Sequence, residues 1–374
     1  MYPGRFGLSE AAHLLRRAAA RGRRAEAEAL AEAGLGPAVA RLLADPAPIP
    51  PPRFQPKSRL VPLVLAWLRG WLATETPAAE RLALFWHGHF TSELRKVKRP
   101  ELMWRQNATF REKGMGRFGD LLRAIARDPA MLLYLDNARS KMPHPNENWA
   151  RELMELFTLG EGHYTEADVK ASARAFAGWS ITPPKKGPVR FVFRKRWADP
   201  GEKVFLGRRI RGGEEVLAIL SEHPQTYRFL ARKLLAFYFH PEPEAAMVEE
   251  GARVLKDAGT REFLAWLFTH PAFYHPRARF ALVKSPVEYL VGLYYASGQT
   301  PDRRAVRWLA RAGQVPFQPP NVKGWSGGLA WLDAGPLLAR INLVRPFAAA
   351  RLDLSVFAEG VGPEALLHPR AQLL

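Results

Sequence analysis

The sequence predicts a mainly α-helical protein, a multi-helical bundle with a small inserted basic β-hairpin. Apolar residues recur at helical spacing through most segments between Pro and Gly breaks, which is the primary signal for amphipathic helices. Hydrophobic residues make up 47% of the 374-residue chain, with 11 Trp and 21 Phe, which is ample for a buried core. The two-residue alternation typical of strands is expected within residues 182–213.

Residues 1–45 are predicted to form an N-terminal helical subdomain. Ser9 is a suitable N-cap, and apolar residues follow it at helical spacing. Further helices are expected at 25–33, ending at Gly34, and at 37–43. Residues 46–57 contain the run PAPIPPP, which favours an extended, semi-rigid connector.

Residues 58–181 are predicted to be the central helical core. Two long helices are expected within 61–90, and the second is apolar enough to lie at the centre of the core. A further helix should begin at Asn146, a natural N-cap, and run to Gly160, a natural terminator. Glu147 favours the positive end of its dipole.

Residues 182–213 are predicted to form the basic hairpin, and residues 214–374 a C-terminal helical region. The segment 189–193 alternates, 199–201 is a turn signal, and 203–210 is expected to be the returning strand. Ten Lys and Arg stand against two acidic residues in this insertion. Residues 318–331 form a Pro-, Gly- and Trp-rich loop.

Composition removes several classes of site. The chain has no Cys, which excludes disulfides, thiolate metal sites, Cys-ligated iron–sulfur clusters and a Cys nucleophile. It also lacks a Gly-rich phosphate loop, a Gly-x-Ser-x-Gly elbow and a His-Glu-x-x-His helix. The start has no signal-peptide pattern and no run of about 18 apolar residues occurs, so a cytoplasmic protein without a transmembrane segment is expected.

Polar side chains concentrate on the helix that begins at Asn146. Arg151, Glu152 and Glu155 fall on related helical faces, beside apolar residues that should face the core. Such a group suits acid–base chemistry, and it equally suits a buried ion-pair network between helices. The candidate catalytic residues are Glu152, Glu155, Arg151 and Glu147.

His87 and His89 are candidate metal ligands. In an extended segment two His two residues apart share a side, whereas on a helix they diverge by roughly 200°. Gly88 between them permits either conformation, and a pair of hydrogen-bonded core imidazoles explains them equally well. A divalent metal ion is the one cofactor that the sequence raises.

Four motifs resemble a large uncharacterised bacterial family, domain-of-unknown-function family 1800. They read FWHGHF at 85–90, DPAML at 128–132, PNENWARELMELFTLG at 145–160 and PPNVKGW at 319–325. The match runs from about residue 10 to residue 345, in the family's order. The resemblance implies no established reaction, and many relatives are exported. Many relatives also have His at the positions of Phe157 and Ala198, so this chain departs from the family there.

Three hypotheses about function follow. The first is a hydrolase that acts on an anionic or carbohydrate-like substrate through a polar carboxylate, Arg and His pocket, with Asn146, Asn148, Asn321 and Trp325 binding the substrate. The second is a non-enzymatic binder of nucleic acid or another polyanion, suggested by the net charge of +19. The third is a scaffold in which the motif is architectural. The candidate polyanion-binding residues are Arg95, Lys96, Lys98, Arg99, Lys185, Lys186, Arg194, Lys195, Arg196, Arg208 and Arg209.

Overall fold

Helices make up most of the chain in the computed structural model, which describes residues 2–54, 60–183, 187–344 and 347. The predicted fold class is confirmed. Within these ranges the α-helices are α1 (Leu8–Ala19), α2 (Arg24–Ala33), α3 (Leu35–Leu42), α4 (Val61–Ala73), α5 (Pro77–His89), α6 (Leu94–Val97), α7 (Pro100–Lys113), α8 (Phe118–Ala126), α9 (Pro129–Tyr134), α10 (Glu147–Glu155), α11 (Glu166–Phe176), α12 (Gly213–Glu222), α13 (Pro224–Tyr238), α14 (Ala245–Ala258), α15 (Thr260–Thr269), α16 (Pro286–Ser297), α17 (Arg303–Arg311) and α18 (Ala334–Val344).

The N-terminal helices share one hydrophobic core with the rest of the molecule. A single cluster of buried apolar residues extends from Ala11 in α1 to Phe347. Helix α1 begins one residue before the predicted cap: Gly7 is its N-cap, and the Glu10 carboxylate accepts the backbone N–H of Gly7 at 3.1 Å. Ser9 therefore lies inside the first turn.

Helix α5 lies at the centre of the core, as predicted. Its Glu80 is fully buried and accepts hydrogen bonds from Trp67 Nε1 at 2.7 Å and from Arg111 Nη2 at 2.8 Å. Because each partner of this buried pair is satisfied, the charges are compensated inside the core. The pair ties α4, α5 and α7 together.

The inserted segment contains two antiparallel hairpins, β1 (Trp179–Ile181) with β2 (Phe191–Phe193) and β3 (Lys203–Phe205) with β4 (Arg208–Ile210). The expected pairing of 189–193 with 203–210 is wrong. Leu206 and Gly207, both with positive φ, form a tight turn inside the predicted returning strand. That strand therefore folds on itself, and β2 pairs with the chain upstream of the insertion.

In the part of the chain that the structure covers, no helix is long and apolar enough to cross a membrane.

Candidate functional site

The helix that carries the family motif, α10, is built from its cap. Asn146 Oδ1 accepts the backbone N–H of Asn148 at 2.8 Å, and Asn146 Nδ2 donates to the Leu135 carbonyl at 2.9 Å. Asn148 is exposed, and its side chain lies 3.5 Å from the same carbonyl. Two of the three predicted substrate-binding Asn residues, Asn146 and Asn148, thus have local contacts at the helix start.

Helix α10 ends at Glu155, five residues before the predicted end. The backbone N–H groups of Leu159 and Gly160 both donate to the Met154 carbonyl, at 2.8 and 3.0 Å. Gly160 adopts φ +82°, which favours glycine, but the C-cap of the helix is Leu156, so the predicted end at Gly160 is wrong.

The Arg151 side chain pairs with a residue of the neighbouring helix α11. Its guanidinium makes two hydrogen bonds to the Glu166 carboxylate, at 2.6 and 2.9 Å, and lies 3.8 Å from Glu147. The hydrogen bonds to Glu166 raise the pKa of Arg151. Arg151 and Glu147 therefore form a surface ion-pair group that joins α10 to α11.

Glu155 is held by two contacts from other segments. The Tyr164 hydroxyl donates to Glu155 Oε2 at 3.0 Å, and Lys323 Nζ lies 3.8 Å from Glu155 Oε1. The same Lys323 lies 3.7 Å from Glu161. The side chain of Glu155 is 20% exposed, so these contacts lie at the edge of the core.

Glu152 is half-buried, and its side chain has no hydrogen bond or ion pair within the described residues. Burial raises its pKa, and the charge of Glu155 raises it further, while Lys323 and Arg151 act in the opposite direction. The same carboxylates affect the pKa of two nearby phenols, Tyr134 and Tyr164. Burial, together with the carboxylates of Glu93 and Glu152, raises the pKa of Tyr134 to about 12.

Burial also raises the pKa of Tyr164 to about 12, with a further contribution from its hydrogen bond to Glu155.

We call Glu93, Tyr134, Glu152, Glu155 and Tyr164 the acidic cluster. Sequence reasoning missed Glu93, Tyr134 and Lys323, because they are remote in sequence from α10. The one available signal was the motif at 319–325, which contains Lys323.

The C-terminal loop docks on the end of α5 through two glycines. A Cβ on Gly324, which has φ +81°, would lie 2.6 Å from the Gly88 carbonyl oxygen. The Trp325 ring lies 5.5 Å from the His87 imidazole, and Asn321 Oδ1 accepts the backbone N–H of Lys323 at 2.9 Å. This close approach holds Lys323 beside α10.

His87 and His89 are both on α5 and both buried. Phe317 donates its backbone N–H to His87 Nε2 at 2.8 Å, and His89 Nε2 donates to the Phe157 carbonyl at 3.1 Å. Burial lowers the pKa of His87 to about 3 and that of His89 well below its usual value, so both imidazoles are neutral.

Because the helix continues through Gly88, the two rings make separate contacts and do not form the shared metal site that an extended segment would allow. The described residues contain no group of three or more His, Asp or Glu side chains arranged to hold a metal ion.

Most of the predicted polyanion-binding side chains are already engaged. Arg194 donates to Ser180 Oγ and to the Ile181 carbonyl, both at 2.9 Å. The cations with acidic partners are Arg95 with Glu93, Lys96 with Asp136, Arg99 with Glu101, Arg208 with Glu222 and Arg209 with Glu202. Lys98, Lys195 and Arg196 are exposed and have no acidic partner among the residues described. Lys185 and Lys186 lie outside the described residues.

Comparison with known proteins bears on the family alone. No curated protein and no solved structure matches the chain. The model of one family, described as a protein of unknown function (DUF1800), matches residues 13–373, almost the whole chain. The expected resemblance is confirmed, and the chain belongs to the DUF1800 family.

Proposed function

We propose that the acidic cluster is the acid–base centre of a hydrolase that acts on a neutral, hydroxyl-rich, carbohydrate-like substrate. The observation that carries the proposal is Glu152, a half-buried carboxylate with a raised pKa and no hydrogen-bond or ion-pair partner in the described chain. A structural carboxylate in such a place normally has a partner, as Glu80 does.

Glu152 and Glu155, the two carboxylates that α10 contributes to the acidic cluster, have different environments, which suits a division of roles. Glu152 has a raised pKa and would carry the proton as general acid. Glu155 accepts a hydrogen bond from Tyr164 and lies 3.8 Å from Lys323, and it would act as base or charge stabiliser. Pairs of carboxyl groups whose surroundings push their protonation apart are the recurring pattern of acid–base sites.

The charge of the cluster favours a neutral substrate over an anionic one. Glu93, Glu152 and Glu155 form a locally acidic region on a protein whose net charge is +19, and they would repel an anion. Carboxylates and phenols instead match the donors and acceptors of sugar hydroxyls. The half-buried Trp325, on the loop that contains Lys323, offers an aromatic face nearby.

Glu152→Gln tests the catalytic role. On a panel of end-labelled oligosaccharides and polysaccharides, the wild-type chain should release new reducing ends, and the variant should lose about 100-fold or more in kcat. Activity should also fall as pH rises through the raised pKa of Glu152, because the general acid loses its proton. Glu147→Gln, an exposed carboxylate on the same helix, is the matched control and should keep wild-type activity.

The stability of Glu152→Gln separates this proposal from the scaffold hypothesis. Because the Glu152 side chain has no hydrogen-bond or ion-pair partner to lose, the free energy of unfolding of Glu152→Gln should differ from that of the wild type by less than about 0.5 kcal/mol. A loss of several kcal/mol would indicate an architectural carboxylate. If neither the wild-type protein nor the variant cleaves any substrate of the panel, the proposed hydrolase activity is contradicted.

A second candidate function is binding of single-stranded nucleic acid. The observation that favours it is a small surface at the end of β2, where Lys195 and Arg196 are exposed without acidic partners in the described chain and Phe193 is 56% exposed. Unpaired cations beside an exposed aromatic ring are the elements that contact phosphates and stack on bases.

Charge reversal tests this second candidate. The double variant Lys195→Glu/Arg196→Glu should weaken binding of a labelled oligothymidylate and reduce the slope of log affinity against log salt by about 1.4, at about 0.7 for each lost contact. Arg208→Glu/Arg209→Glu is the matched control, because both of its cations already face carboxylates. Equal losses in the two variants, measured by fluorescence anisotropy, would show non-specific attraction.

A further inference from the structure

The outer surface of α17 and α18 combines positive charge with exposed apolar side chains. The two helices pack against each other, and a groove of about 340 Å³ lies between them. The residues that line it are Trp308 and Arg311 from α17, and Ala339 and Asn342 from α18. Arg311 is exposed and both Trp308 and Asn342 are half-buried, so the groove opens to solvent.

One side of the groove is a row of arginines. Helix α17 carries Arg303, Arg307 and Arg311 four residues apart, which places them one above the other on the same face of the helix. All three are exposed, and none of their side chains has a hydrogen bond or an ion pair within the described residues. The fourth arginine of the helix, Arg304, lies 3.8 Å from Asp302. Neither α17 nor α18 contains an acidic residue, so the two helices carry uncompensated positive charge.

The other side of the groove is apolar. Leu338 and Ile341 lie three residues apart on α18, and they are 61% and 55% exposed. No large apolar side chain in the part of the chain that the structure covers is more exposed than Leu338. Asn342, which lines the groove, lies one turn from Leu338, so this apolar row borders the groove directly. Contact with a non-aqueous phase would remove both aliphatic side chains from water.

Trp308 lies between the two rows. Its ring packs against that of Phe347, with the ring centroids 6.1 Å apart, and one part of it faces the groove. Tryptophan is favoured at the boundary between lipid headgroups and acyl chains, because its ring is amphipathic. Cations on one side and aliphatic side chains on the other are typical of helices that lie in this boundary. We call this surface the α17–α18 face; its members are Arg303, Arg307, Trp308, Arg311, Leu338 and Ile341.

We propose that the α17–α18 face binds the surface of a membrane that contains anionic phospholipids. The arginines would contact lipid phosphates, and Leu338 and Ile341 would enter the boundary between headgroups and acyl chains. The groove would receive a headgroup between the two rows, where the Asn342 carboxamide offers a hydrogen-bond donor and an acceptor. A soluble polyanion would match the arginines but leave the aliphatic row in water, so the surface favours a membrane.

Sedimentation of the full chain with lipid vesicles is the first experiment. The chain should bind vesicles made of equal parts of phosphatidylcholine and phosphatidylglycerol, and added salt should weaken this binding. Vesicles of phosphatidylcholine alone should bind at least about tenfold more weakly. No binding to the anionic vesicles, or equal binding to both kinds of vesicle, would overturn the proposal.

Charge reversal separates this face from general attraction by the net charge. The double variant Arg307→Glu/Arg311→Glu should weaken binding to the anionic vesicles by about 30-fold, at about fivefold for each lost cation. Arg253→Glu/Lys256→Glu is the matched control, because it makes the same change in net charge at two exposed cations of α14 that have no ion pair among the residues described. Equal losses in the two variants would overturn the assignment to the α17–α18 face.

Removal of the apolar row distinguishes a membrane from a soluble polyanion. Leu338→Ser/Ile341→Ser should weaken vesicle binding by about tenfold, since less apolar area is buried, and should leave binding of heparin unchanged. Val204→Ser changes a valine of β3 that is 59% exposed, and this control should bind vesicles as the wild type does. Vesicle binding by Leu338→Ser/Ile341→Ser at the wild-type level would overturn the membrane proposal.

Size-exclusion chromatography tests the remaining occupant, a second copy of the chain. The wild type and Leu338→Ser/Ile341→Ser should elute at the same volume, which would support a face that is free to meet a membrane. A wild-type dimer that the two substitutions dissociate would show that the apolar row is covered by another copy, and would overturn the proposal.

Discussion

At the scale of single residues, burial decides the protonation of several acids and bases. Asp128 is the clearest case. Its Oδ1 accepts hydrogen bonds from Gln106 Nε2 at 2.7 Å and from the backbone N–H of Met131 at 3.0 Å. Both bonds favour the charged form, yet burial outweighs them and raises the pKa of Asp128 to about 6.

This shift makes the stability of the protein depend on pH in a defined direction. The folded pKa of about 6 lies above the unfolded value of about 3.9, so the folded state binds the proton more tightly. The contribution of Asp128 to the free energy of unfolding should therefore fall by about 3 kcal/mol as pH rises from about 4 to above 6.

Asp128→Asn keeps the Oδ1 acceptor and cannot titrate, so the variant should lack the pH-dependent contribution of Asp128 to the free energy of unfolding. Urea unfolding of the wild type and the variant at pH 4.5 and pH 7 measures this contribution, as the difference between their two pH dependences. Parallel pH dependences for the wild type and the variant would contradict the assigned shift.

At the scale of elements, local chemistry explains how α10 begins. Asn146 makes a cap hydrogen bond and a second bond to the Leu135 carbonyl, while Asn148 is exposed and makes one long contact. Asn146→Ala should lower the free energy of unfolding by about 1 to 2 kcal/mol, the usual cost of a lost N-cap. Asn148→Ala is the control and should cost less than about 0.5 kcal/mol.

Denaturant titration of the two variants distinguishes a structural role from substrate binding. If Asn146→Ala leaves the free energy of unfolding unchanged but weakens substrate binding, the first interpretation of these residues, as substrate ligands, is the correct one.

The predictability of each element follows from the range of the interactions that define it. The N-cap of α10 was predictable because it depends on neighbouring residues, whereas the end of the helix was predicted five residues too late. The N-cap of α1 was misplaced by two residues, since Gly7 and Ser9 both suit a helix start and the Glu10 contact decides between them. Strand pairing was predicted wrongly because partners are chosen in three dimensions.

At the scale of the whole molecule, the docking of the C-terminal loop on α5 assembles the candidate site. Gly324→Ala would place a Cβ 2.6 Å from the Gly88 carbonyl oxygen and should displace the loop that contains Lys323. We expect a loss of stability greater than the roughly 1 kcal/mol that positive φ costs by itself. Gly298→Ala is the matched control, with φ +68° and open space around it.

Hydrogen exchange measured by mass spectrometry reports on this docking directly. Residues 318–331 should exchange faster in Gly324→Ala than in Gly298→Ala, and hydrolysis should weaken in the first variant only. Equal exchange in the two variants would show that the glycine contact does not hold the loop.

The helical class, the family and the start of the motif helix could all be predicted from the sequence, because they depend on local periodicity, caps and motif strings. It also identified Glu152 and Glu155 as unusual. Three contacts became clear from the folded arrangement alone. Arg151 pairs with Glu166, His87 and His89 make separate core contacts, and Lys323 and Tyr164 contact Glu155.

The buried ion pair between Arg81 and Glu288, with Nε and Oε1 2.6 Å apart, was likewise invisible in the sequence. Its two members are 207 residues apart, and nothing local distinguishes Arg81 from an exposed arginine of the same chain. Charge and burial are properties of the folded arrangement, since each depends on what every other segment places around a side chain. For that reason the candidate residues could be chosen from sequence, whereas their partners, and therefore their chemistry, could not.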